Sequence, residues 1–104
     1  MTDELILSVA SIVVRRRGVV AAEVDGEIVA LNPDMRTCYG LNKVGSRVWK
    51  LIAEPSRVRD ICTVLVREYD VDQATCELQV LKLLEELRGE KLVEAVAATS
   101  AWRS

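Results

Sequence analysis

The chain has 104 residues, with 14 basic and 16 acidic side chains, a net charge of −2, and half its residues apolar. This length suits one domain and not two. The charge balance gives no general attraction for phosphate, whose binding rests on clustered Lys and Arg. Histidine is absent, which removes the commonest general base and metal ligand and any Ser–His or Cys–His nucleophile pair within the chain. Cys38, Cys62 and Cys76 are odd in number, widely spaced and outside zinc-finger spacing. They predict unpaired thiols, no metal site and a reducing, cytoplasmic setting. No apolar run approaches the roughly 20 residues that span a bilayer. The acidic start Met1-Thr2-Asp3-Glu4 does not read as a signal peptide.

The elements follow in chain order. Ser11 to Val14 is a candidate short strand whose register the sequence does not fix. Val19 to Val24, Asp25-Gly26 and Glu27 to Leu31 predict a hairpin, because Asp-Gly supplies the positive-φ pair of a type I′ turn. Asn32-Pro33-Asp34 predicts a second turn. Arg36 to Leu41 then reads as a third strand, open at a sheet edge unless the N-terminal segment covers it.

From Asn42 the apolar period becomes helical. Asn42 is a good N-cap for a helix carrying Val44, Val48, Leu51 and Ile52 on one face, with Trp49 beside it. Pro55 ends that helix and Ser56 can cap the next. Val58, Ile61, Cys62, Leu65, Val66 and Tyr69 form the second stripe. After Asp70-Val71-Asp72, a third helix runs from Gln73 to Arg88, with Gly89 as its stop. The small, polar tail after Val96 reads as frayed. The fold class predicted is α+β, winged-helix-like: a three-stranded antiparallel meander followed by three helices, in one domain over residues 1–104 with its core at about 19–95.

The third helix carries the most information. At about 100° per residue, Cys76, Val80, Leu83, Leu84 and Leu87 share one arc that can face a core. Ala74, Leu78 and Leu81 lie on a flank outside it. That flank either packs inside the monomer or lines an apolar groove for a ligand. The third strand is correspondingly either an ordinary wet edge or a strand to which an extended peptide adds. Tyr39 and Trp49 read first as space-filling aromatics among only four in the chain. Arg15-Arg16-Arg17 is either a solvated loop or a local docking patch.

The wording at Tyr39-Gly40-Leu41-Asn42, Val44-Gly45 and Val48-Trp49 is joined by Glu68-Tyr69-Asp70-Val71 and by Val80 with Leu83-Leu84-Glu85-Glu86-Leu87. Together they resemble the PqqD-like peptide chaperones, also called RiPP recognition elements, where RiPP denotes a ribosomally made, post-translationally modified peptide. The Tyr-x-Leu-Asn-x-x-Gly spacing joined to a Trp is the specific part. The resemblance covers roughly residues 19–95 and is strongest to the standalone recognition proteins of lasso-peptide pathways. It implies a non-catalytic protein without a cofactor. The leader of a precursor peptide would add as a strand beside Arg36, Thr37, Cys38, Tyr39, Gly40 and Leu41. The exposed side of the third helix, with Ala74, Glu77, Leu78, Leu81 and Glu85, would form the other wall. It further implies a leader peptidase, and with it a cyclase, as partners, and no membrane or nucleic-acid partner. The N-terminal part is longer than the minimal family pattern.

A winged-helix DNA-binding regulator is the rival, since both classes share the helix order. Charge opposes it: Asp72 to Glu90 holds five acidic and two basic residues, a net −3. A homodimerisation module using the apolar flank is a third possibility.

Overall fold

The computed structural model describes residues 6–96. The Asp25-Gly26 turn forms as its chemistry demands, with φ of 53° and 83°. It joins β2 (Val20–Val24) to β3 (Glu27–Asn32), and β4 (Thr37–Leu41) completes a meander of order β2-β3-β4. The predicted third strand loses its first residue. Arg36 sits at φ 56° in the turn, because Asn32 Oδ1 accepts from the Asp34 and Met35 N–H groups and lengthens the reversal.

The N-terminal strand does not cover this sheet. β1 (Ile12–Arg15) belongs to a second antiparallel sheet of order β5-β1-β6, between β5 (Ser56–Arg57) and β6 (Val93–Val96). Both β5 and β6 lie where the sequence reading placed no strand. β6 is too short and too mixed in pattern to be read without its partner. Among the described residues, β4 therefore keeps one unpaired edge.

Three helices follow the meander: α1 (Lys43–Leu51), α2 (Val58–Glu68) and α3 (Gln73–Gly89). Asn42 caps α1, its side chain accepting from the Gly45 N–H at 2.8 Å. Asp72 caps α3 in the same way, accepting from the Thr75 N–H at 3.0 Å. α1 ends at Leu51, ahead of Pro55. Ser56 does not cap α2, whose N-cap is Arg57 with no side-chain bond. Instead Ser56 Oγ donates to the carbonyls of Leu51 and Glu54 and closes the end of α1. Gly89 is the last residue of α3 and not its stop. The left-handed residue is Lys91, at φ 62°. The Leu92 N–H reaches the Leu87 carbonyl and the Lys91 N–H the Arg88 carbonyl, the Schellman pattern.

The core lies between both sheets and the helices. Val13, Trp49, Ile52, Ile61, Leu65, Leu84, Leu87 and Leu92 are all at most 2% exposed. Trp49 thus fills space in the core, in line with its aromatic bulk. Arg15 stacks 4.8 Å from the Trp49 ring centroid and its Nε donates to the Trp49 carbonyl. Arg16 pairs with Glu94. Two of the three arginines in the run thus make structural contacts, and Arg17 is exposed. No helix among the described residues is long and apolar enough to cross a membrane. The reading of a frayed tail after Val96 lies outside the described residues.

Candidate peptide-binding groove

β4 lays its side chains alternately on two faces. Cys38 and Gly40 face outward and are exposed, while Tyr39 and Leu41 face the helices. Ser46, buried on α1, ties that end of the meander down: its Oγ accepts from the Ile28 N–H at 2.8 Å and donates to the Leu41 carbonyl at 3.2 Å. At the other end Thr37 Oγ1 donates to the Glu90 carbonyl at 3.0 Å.

Between these anchors lies a cavity of about 340 Å³. Tyr39, Gly40 and Leu41 form its strand wall, and Cys76, Gln79, Val80 and Leu83 its α3 wall. Val44 and Val48 of α1, with Leu65, Tyr69 and Val71, complete an apolar floor. Tyr39 donates its hydroxyl to Glu86, which raises the phenol above its ordinary range. Arg47 makes a bidentate bond to Glu68, both distances 2.8 Å, which holds that carboxyl below its ordinary range. Burial pushes the Cys76 thiol up, opposing thiolate formation. The lining thus offers shape, apolar surface and a strand edge, and no activated nucleophile.

The predicted residues divide. Tyr39, Gly40 and Leu41 line the cavity. Thr37 and Cys38 lie on the same strand beyond it, and Arg36 lies in the turn. On α3 the geometry runs the other way from the reading. Ala74, Glu77, Leu78, Leu81 and Glu85 do not line the cavity. At 100° per residue they centre roughly opposite Cys76, Gln79, Val80 and Leu83. Leu78 is 72% exposed, Leu81 is partly buried, and Glu85 Oε2 accepts from the Leu7 N–H at 2.8 Å. The flank is thus partly engaged by the N-terminal segment. The arc read as core-facing is itself shared: Leu84 and Leu87 enter the core, while Cys76, Val80 and Leu83 also wall the cavity. Asn42, Val44, Gly45, Val48, Leu65, Tyr69, Val71 and Gln79 also line the cavity and were not among the predicted site residues. Gln79, polar at the margin of an apolar arc, was the available signal.

The outer face of the meander is also apolar. Val20, Leu31 and Cys38 form one row, and Ala22, Val29 and Gly40 the next. Val20, Val29 and Leu31 are 40–54% exposed.

Comparison with known proteins shows what the chain is similar to. Residues 27–93 match the family described as coenzyme PQQ synthesis protein D (PqqD). The structure of TbiB1 in complex with the TbiA(beta) leader peptide is 36% identical, with a TM-score of 0.74, over 81% of this chain and 98% of that one. The PqqD truncation of Methylobacterium extorquens PqqCD, described as a functional, stand-alone RiPP recognition element, is 26% identical, with a TM-score of 0.72, over 85% and 94% of the two chains. A lasso peptide synthetase B1 complexed with the leader peptide shares the fold at 18% identity, with a TM-score of 0.70, over 79% and 96%. No curated protein matches.

Proposed function

Because the chain belongs to the PqqD family, we propose that it is a leader-recognition protein of lasso-peptide type, which captures a precursor's leader as a strand added along β4. The observation that carries this reading is an unpaired β4 edge beside an apolar cavity. An added strand gains backbone hydrogen bonds worth only about 0.5–1.5 kcal/mol each net. Selectivity then comes from side chains seated against Leu41, Val44, Val80 and Leu83, where burying one Leu-sized group contributes about 1.5–3 kcal/mol. Thr37 and Cys38 take part through their backbone. Arg36 and the α3 residues Ala74, Glu77, Leu78, Leu81 and Glu85 stand outside this contact.

The protein breaks no bond in this reading. It holds the leader in the cytoplasm, in keeping with three unpaired thiols, and presents it to a leader peptidase and, with it, a cyclase. The outer face of the meander, ending at the same β4 edge, suits such an enzyme because the bound peptide leaves it open. The whole chain acts as one recognition domain. The DNA-binding alternative receives no support: α3 and its caps carry a net −3, and two neighbours hold leader peptides. Titration with fluorescently labelled TbiA(beta) leader peptide tests the reading. Saturable binding is expected, and its absence would overturn it.

A further inference from the structure

The two walls of the groove are joined towards one end. Leu41 and Cys76 line the cavity at the other. The joining bonds are the Tyr39 hydroxyl to Glu86 and two side chains reaching into the Schellman turn of α3. Asn32 Nδ2 donates to the Lys91 carbonyl at 2.7 Å, and Thr37 Oγ1 donates to the Glu90 carbonyl at 3.0 Å. Both carbonyls lie beyond the last helical residue, where no helical N–H can serve them.

Asn32 is 7% exposed, one of two buried polar residues among those described. Its amide has no freedom to turn over. Oδ1 is occupied by the Asp34 and Met35 N–H groups, so the NH2 must face Lys91. Burying an amide stabilises little compared with an apolar side chain unless its geometry is needed. Here the amide links three things at once: the β3–β4 turn, the end of β3 and the end of α3.

We propose, on the basis of the leader-binding reading of this groove, that Asn32 and Thr37 are positioning residues that set the separation of β4 and α3 before the peptide arrives. A groove already at its bound width loses less freedom on binding than one that must be assembled around its ligand. Neither residue needs to touch the peptide with its side chain for this effect.

The test uses the full chain, the labelled TbiA(beta) leader peptide and three substitutions. Thr37→Val keeps the shape and removes one hydroxyl. Thr37→Ser restores it. Asn32→Asp keeps the Oδ1 turn and sets a carboxylate against the Lys91 carbonyl. Thr37→Val is expected to melt within a few degrees of the parent yet bind at least about fivefold more weakly, and Thr37→Ser to recover the parent affinity. Asn32→Asp is expected to weaken binding further. A second readout needs no peptide. Nitroxides on Cys38 and on Leu78→Cys, both exposed sites, report the β4–α3 distance by double electron–electron resonance. The distribution should broaden in Thr37→Val and return to the parent's in Thr37→Ser. A folded Thr37→Val that binds like the parent overturns the proposal, whatever its distances. So does an unbroadened distribution. A parent that binds no leader overturns the functional reading instead, and the distances still decide whether the staple holds the walls.

Discussion

Three thiols of one sequence have two environments. Cys38 is exposed on the outer face of β4, while Cys62 and Cys76 are buried between α2 and α3. Burial first, and Cys76 second, pushes the Cys62 thiol up to about 12. The native protein should therefore react with one equivalent of a thiol reagent near neutral pH, at Cys38, and with three after unfolding. Fast modification of Cys62 or Cys76 in the folded protein would contradict the packing. Caps behave with similar regularity. Asn42→Ala removes the bond to the Gly45 N–H and should cost about 1 kcal/mol in denaturant unfolding. Asn42 was legible in the sequence because capping is local chemistry. Ser56 was misassigned because a hydroxyl between two helices can serve either, and only the path of the chain decides that it closes α1.

At the scale of elements, the meander and three helices were legible because periods of 2 and 3.6 are imposed on the sequence by burial. The second sheet was not, since β1, β5 and β6 pair across 43 to 84 residues and all three are four residues or fewer. The cavity wall differs from the flank read in the sequence for a related reason. Periodicity identifies the apolar arc of α3 but not how that arc is divided between core and cavity. A paired substitution separates the two faces. Leu83→Asp, on the cavity wall, should weaken leader binding by at least about tenfold, equivalent to about 1.4 kcal/mol. Leu78→Asp, 72% exposed on the far side, should leave affinity and melting temperature nearly unchanged. Equal loss in both would return the binding surface to the flank at Ala74, Leu78 and Leu81.

The whole molecule is held by one core and a set of carboxylates bonded in the folded state. Leu84, fully buried, should cost about 2–5 kcal/mol on truncation to Ala, read by denaturant unfolding. Glu85 is held below its ordinary range by Arg88 and by the Leu7 N–H, and Asp72 by the Thr75 N–H and hydroxyl. Groups whose folded pKa is depressed contribute stability above their unfolded values and lose it as pH falls through the folded ones. The melting temperature should accordingly be flat near neutrality and fall below about pH 4. Loss of the Glu85 bond should free the N-terminal segment before the groove is affected.

The central claim, that a leader peptide adds to β4 and seats its side chains against α3, is tested most directly by hydrogen–deuterium exchange with and without the TbiA(beta) leader peptide. The account predicts slowed exchange concentrated in Thr37–Leu41, with smaller gains over Cys76 to Leu83 and at the start of α1. Unchanged exchange at β4 under saturating peptide, or protection confined to β2 or to the sheet of β5, β1 and β6, would contradict it.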